Sequence, residues 1–178
     1  MASKRQRKKN ILKELSNSES LIQVKKLLTT RRNMSRRDFI PGNLIFTSYD
    51  AKDKKQTYDK TPLILILRRS TKYTLGLNFH WLPMNMRLTL IKLIISQNKL
   101  NIKNNKPMKF SYHDLRPHLK SLGYAPVIRL YINKRMSKIG VVIPPDRLIE
   151  VARLKTETFT NGRYSAQEML NMARKTRR

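Results

Sequence analysis

The run Leu63-Ile64-Leu65-Ile66-Leu67 is the longest unbroken apolar stretch of the chain, and it constrains the fold more than any other feature. Five residues fall far short of the ~18 that a membrane span requires, but they suit a strand buried on both faces. Thr61 and Pro62 lead into it, and Arg68, Arg69 and Ser70 close it with a charged margin. Residues 71–81 then alternate, with Tyr73, Leu75, Leu77, Phe79 and Trp81 on one face. After the Pro41-Gly42 turn, residues 43–49 (NLIFTSY) carry the same β-branched and aromatic bias. These strand signals predict an antiparallel meander or small barrel, with residues 50–60 as a polar loop between its first two strands.

Helical patterns surround these strands. Pro83 suits the first position of a helix, in which Met84, Leu88, Ile91 and Ile95 form one stripe, thickened by Leu90, Leu93 and Ile94. Residues 98–109 read as an Asn/Lys-rich loop, and Ser111 or Asp114 can cap a short helix before Pro117. Residues 126–136 read as another helix, exposing Arg129, Lys134 and Arg135. Residues 139–143 form a strand closed by Pro144-Pro145, and residues 146–154 a short helix. Asn161-Gly162 is a turn, and Ser165 with Glu168 three residues later is a capping box that opens a final helix. The fold class expected is therefore α+β: a small antiparallel sheet or partial barrel with helices packed on it and basic helical N- and C-terminal extensions. The domain division expected is a basic arm over 1–40, a compact α+β domain over 41–160 and a basic C-terminal helix over 161–178.

Charge decides what such a body keeps company with. The 178 residues hold 39 Lys plus Arg against 11 Asp plus Glu, a formal net charge of +28. Self-repulsion on that scale calls for a polyanion partner. Within the arm, apolar residues from Ile11 to Leu28 recur loosely at helical spacing, and Ser18 or Ser20 can cap a helix that runs to about Thr30. The arm therefore reads as contacting nucleic acid. The N-terminal MASKRQRKKN is basic without a following apolar segment, so it does not read as a secretory signal. Cysteine is absent, which excludes a disulfide framework, a thiolate zinc site and a cysteine nucleophile.

Catalytic patterns are weak. His80, His113 and His118 lack a helical i, i+4 pairing and read as structural, with no metal site. Asp50, Asp53 and Asp59 cluster in one loop but alternate with Lys52, Lys54, Lys55 and Lys60, which suggests a neutralised, solvated segment rather than a magnesium site. No P-loop, nucleophile elbow or Gly-rich phosphate cradle is present. The expectation is a protein that is not an enzyme, with no cofactor and no small-molecule substrate.

Binding has more to stand on. Basic doublets recur at Arg31-Arg32, Arg36-Arg37, Arg68-Arg69, Lys134-Arg135 and Arg177-Arg178, with Arg129 nearby in sequence to the fourth. Arginine forks bind phosphate bidentately, so these residues are the candidate nucleic-acid contacts. Such contacts are salt-dependent and largely indifferent to base sequence. Tyr49, Tyr58, Tyr73, Tyr112, Tyr124 and Tyr131 read first as packing residues and second as stacking platforms for bases.

A family resemblance sharpens the partner. Residues 42–52 (GNLIFTSYDAK), 58–63 (YDKTPL) and 75–83 (LGLNFHWLP) resemble, in order, segments of small virion proteins of T4-like bacteriophages, those of the DNA end protector type. Ser111-Tyr112, residues 126–136 and Ile143-Pro144-Pro145 follow in the same order, so the resemblance spans residues 42–160. Trp81 stands where that family has tyrosine, the loop after Ser70 is short, and the termini are unusually basic. The resemblance implies a minor virion component, placed in the host cytoplasm during assembly. It would bind the ends of packaged linear DNA near the head–tail junction, alongside other virion proteins and without a membrane. Two other readings stay open: a neck or baseplate component without a direct DNA role, and a ribosomal-type RNA-binding protein.

Overall fold

The structure is a computed structural model that describes residues 22, 26–51, 59–104, 108, 112–121, 123, 125–154 and 165–175. Several sequence expectations lie outside the described residues: the arm before residue 22 with its Ser18 and Ser20 caps, Asp53, Tyr58, Ser111, Tyr124, the Asn161-Gly162 turn, Arg177 and Arg178. The chain is an α+β protein built on an antiparallel sheet, as its strand and helix patterns require. The strands are β1 (Arg32–Asn33), β2 (Leu44–Tyr49), β3 (Leu63–Arg69), β4 (Tyr73–Asn78), β5 (Ile128–Ile132) and β6 (Met136–Ile143), in the spatial order β1-β6-β2-β3-β4-β5. All the pairings are antiparallel.

The five-residue apolar run is the middle of this sheet. β3 pairs with β2 on one side and β4 on the other, and Leu63 through Leu67 are each at most 2% exposed. Alternation splits them. Leu63, Leu65 and Leu67 join Leu44, Phe46, Leu77, Val141 and Ile143 under the helices. Ile64 and Ile66 join Ile45, Tyr131, Met136, Met34 and Phe39 on the other face.

That second face is the inside of a curl. In a flat sheet, β5 and β6 would be four strand spacings apart, about 19 Å. Only Asn133–Arg135 joins them, and the four Cα steps from Ile132 to Met136 reach at most about 14 Å. The sheet must therefore roll, and the rings of Tyr49 and Tyr131 from β2 and β5 do meet edge to face, 5.0 Å apart. β1 and β5 stay unpaired with each other, so the sheet is not a closed barrel. Rolling leaves little room inside. Gly76 on β4 supplies it: a Cβ there would overlap Ile64 Cγ2 and lie 3.3 Å from both the Leu65 carbonyl oxygen and Tyr131 Cε2. Gly76→Ala is expected to cost about 1–3 kcal/mol through overpacking, read as a lower urea midpoint at unchanged m-value.

After helical residues 26–29, the described helices are α1 (Met84–Gln97), α2 (Lys99–Lys103), α3 (Tyr112–Ser121), α4 (Leu148–Arg153) and α5 (Ala166–Lys175). α1 meets the core through Leu90, Ile91 and Ile94, with Arg87 on the same buried side, while Met84 is exposed. The buried stripe is thus rotated from the 84/88/91/95 reading, because the large apolar residues at 90, 91 and 94 dominate the contact. α5 brings Met169, Leu170 and Ala173 into the same core, and Leu28, Met34 and Phe39 from the first forty residues are also buried. The Ser165–Glu168 capping box forms: Ser165 N–H donates to Glu168 Oε2 and Glu168 N–H donates to Ser165 Oγ.

Residues 126–136 are not a helix. Ala125–Val127 is a 3-10 turn, Ile128–Ile132 is strand β5, and Asn133–Arg135 is a second 3-10 turn. The segment IRLYI is rich in β-branched and aromatic side chains, and its pairing with β4 from Leu77 to Tyr73 satisfies the backbone there. Likewise, β4 ends at Asn78 instead of running through Trp81. The Asn78 side chain accepts from His80 N–H and turns Phe79–Trp81 into a 3-10 helix. α3 continues through Pro117, and the loop reading of 98–109 gives way to the short α2 over its first part.

Candidate nucleic-acid interface

Where β2 ends and β6 begins, the surface opens into a groove of about 640 Å³ lined by Ser48, Tyr49, Asp50, Lys60, Thr61, Lys134, Arg135, Met136 and Ser137. Three separate segments supply those residues, and the sheet register explains why they meet. Tyr49 pairs with Met136, Tyr49 N–H donates to the Lys60 carbonyl, and Asp50 N–H donates to the Arg135 carbonyl. Arg31 reaches the rim, with Nη1 3.4 Å from Ser48 Oγ and its guanidinium 5.5 Å above the Phe46 ring. Arg135 leans on Asp50 at 3.5 Å, an exposed pair that solvent weakens. Lys60 and Lys134 have no ion pair among the described residues. Lys60, Lys134 and Arg135, with Arg31 at the rim, are thus set against the Asp50 carboxylate beside Ser48, Thr61 and Ser137.

Beneath the groove is a buried polar knot. His80 Nδ1 lies 2.9 Å from Asp59 Oδ2, with the two side chains 0% and 6% exposed. Asn78 Nδ2 also donates to Asp59 Oδ2, and Thr61 N–H donates to Asp59 Oδ1 in an Asx-type turn. Burial alone would raise the Asp59 pKa. The His80 charge, the His80 and Asn78 hydrogen bonds and the Thr61 N–H outweigh it, so the carboxyl sits below its ordinary value. Burial, and secondarily the Asp59 charge, push the neighbouring Tyr131 hydroxyl well above the usual phenol range. The knot pins residues 59–61, which is how Lys60 and Thr61 come to line the groove.

A second basic surface lies where β3 ends. Arg69 stacks 4.4 Å above the ring of Phe39, which belongs to the 3-10 turn Arg36–Phe39. Burial, then the nearby Arg36 charge, lower the Arg69 pKa from the usual arginine value. Arg36, Arg37 and Arg68 are exposed, and none of these four arginines has an ion pair among the described residues.

The sequence candidates thus divide. Arg31, Lys134 and Arg135 converge on the groove, and Arg36, Arg37, Arg68 and Arg69 lie on or beside the second surface. Arg32 is committed elsewhere: its fork grips both oxygens of Asp38 at 2.6 and 3.1 Å, holding that carboxyl below its ordinary value. Arg129 lies 4.3 Å above the Trp81 ring with Nε and Nη2 buried, a packing position. Arg177 and Arg178 lie outside the described residues.

Sequence reasoning passed over Lys60 and misread Asp59. Asp59 looked like one more charge in a solvated loop, yet it is an interior residue. The spacing Asp59-Lys60-Thr61 just ahead of a wholly apolar strand was the available signal, since a strand buried to its first residue draws its lead-in inward. His113 and His118 are exposed on α3. Among the described residues no group of three His, Cys, Asp or Glu is placed to hold a metal ion, and no helix is long and apolar enough to cross a membrane. Comparison with protein-family models, curated proteins and solved structures finds no match.

Proposed function

We propose that this chain is a non-enzymatic phage virion protein that binds packaged linear DNA near its ends through sequence-independent phosphate contacts. The groove is the observation that carries the reading. Lys60, Lys134, Arg135 and Arg31 are brought from distant parts of the sequence to one face, beside Ser48, Thr61 and Ser137 hydroxyls. Ammonium, guanidinium and hydroxyl donors are the groups that hold phosphate oxygens and position a nucleic acid without reading its bases. The net charge of +28 supports the same partner, and the resemblance of residues 42–160 to the phage end-protector type supplies the virion setting. Other virion proteins are then its neighbours.

Salt titration of binding tests this. Each phosphate neutralised contributes about −0.9 to the log–log slope, so a slope of several units with equal affinity for unrelated sequences is the expected result. Linear duplex is expected to bind more tightly than the same duplex closed into a circle. Equal binding of both topologies removes the ends from the reading, and no binding even at low salt removes DNA and leaves the neck or baseplate role. Co-sedimentation with ribosomal subunits in preference to particles transfers the surface to RNA.

A further inference from the structure

Arg69 leaves β3 with its guanidinium plane fixed against Phe39. Stacking uses the face of the group and none of its N–H donors. Its Nη1 is buried and has no hydrogen-bond partner. A buried donor of this kind costs stability until an acceptor reaches it. The Arg36 charge stands close enough to oppose that of Arg69. Among the described residues, no carboxylate balances them. Asp38, on the same 3-10 turn as Arg36, has its oxygens taken by Arg32 and by the Ser35 N–H.

We propose that Arg69 and Arg36 form a binding site for a phosphate dianion, the group that ends a nucleic-acid strand as a monoester or exists free as inorganic phosphate. A monoester carries close to two charges and three acceptor oxygens, against one charge for an internal diester. Oxygens accept from the half-exposed Arg69 guanidinium, which turns its Nη1 toward them, and from the Arg36 fork, and the dianion reconciles two like charges that otherwise repel. The exposed Arg37 and Arg68, next in sequence to Arg36 and Arg69, add to the field. The site is distinct from the groove, since it is built on the 3-10 turn Arg36–Phe39 and the end of β3. Assigning it to a strand end rests on the DNA reading above; the phosphate site itself does not.

The test follows the unfolding temperature of the full chain as inorganic phosphate replaces chloride at constant ionic strength. Wild type is expected to rise saturably, and Arg69→Gln and Arg36→Gln to lose the rise. Arg69→Gln also loses its stacking on Phe39. Arg36 is exposed, so Arg36→Gln keeps the fold and decides the matter. A variant with Lys60, Lys134 and Arg135 all changed to Gln should retain the rise. A rise that persists in Arg36→Gln, or one that chloride matches, overturns the site. A second arm compares one duplex with 5′-phosphate and with 5′-hydroxyl ends. About tenfold tighter binding of the phosphorylated form, abolished in Arg36→Gln, assigns the site to strand ends. Equal affinity with the phosphate response intact assigns it to the free ion. If neither duplex binds, the DNA reading fails and the phosphate titration alone decides the site.

Discussion

Asp59→Ala is expected to destabilise the protein by about 3–5 kcal/mol, because three hydrogen-bonding partners lose a buried carboxylate at roughly 1–3 kcal/mol each. The imidazole of His80 is wholly buried and would lose the carboxylate 2.9 Å away. The Asn78 amide and the Thr61 N–H would lose their acceptor in the same step. For a chain of this length the melting temperature should fall by roughly 10 °C or more. Asp59→Asn, which keeps the shape and part of the hydrogen bonding, should cost distinctly less. The pH dependence carries a sign as well. Because the folded pKa of Asp59 is depressed, its contribution is complete above the ordinary carboxylate value and is lost as pH falls through the lower folded value. The stability difference between wild type and Asp59→Asn should therefore shrink on acidification in urea titrations. A difference that stays constant down to the acid limit would mean that the Asp59 carboxyl titrates alike in the folded and unfolded chain, with no depression of its pKa.

Much of the sheet was legible because burial writes itself into sequence as pattern. β2, β3 and β4 follow from apolar runs and alternation, and the short link 70–72 makes β3 and β4 a hairpin. β5 was missed: Ile128, Leu130 and Ile132 alternate with Arg129 and Tyr131 as in a strand, but five residues are too few to set that period against a helix across 126–136. Only pairing with β4, a contact the local sequence does not contain, selects the strand. The curl was hidden for the same reason: it depends on three residues having to link strands that the spatial order sets far apart. Within the interface, the basic doublets were visible but their uses were not. Arg32 and Arg36 look equivalent as letters, yet one is held by Asp38 and the other has no ion pair among the described residues.

The interior and the groove are one construction. The apolar strand β3 draws its lead-in toward the core, and Asp59 is accommodated there because His80, Asn78 and the Thr61 N–H complete its hydrogen bonds. Holding Asp59 fixes the backbone on which Lys60 and Thr61 stand. In the resembling segment LGLNFHWLP, Asn78 and His80 are thus the residues that hold Asp59, while Leu77, Phe79 and Trp81 fill the helix-side core. A motif that looks like a fold signature also positions a basic residue, which is why loss of Asp59 should reach DNA affinity as well as stability.

Changing Lys60, Lys134 and Arg135 together to Gln should then give the largest functional effect. If the three cations each neutralise one phosphate, the log–log salt slope flattens by about 2.7, at 0.9 per contact. Between 50 and 200 mM salt, that difference amounts to roughly a 40-fold smaller loss of affinity than wild type shows. At low salt the variant should bind more weakly than wild type, and equally so on unrelated sequences, because phosphate contacts carry no base information. The fold should survive, since Lys60, Lys134 and Arg135 are exposed and Arg135 makes only a solvent-weakened pair with Asp50. An equal substitution at Arg32 should leave the slope where it was, because Asp38 already holds that fork. Fluorescence anisotropy of one labelled duplex across a salt series measures all three proteins in a single format. A slope unchanged in the triple variant would move the contact surface away from the groove. A slope that flattened as much on losing Arg32 would mean that total charge, and not the convergence of these side chains, governs binding.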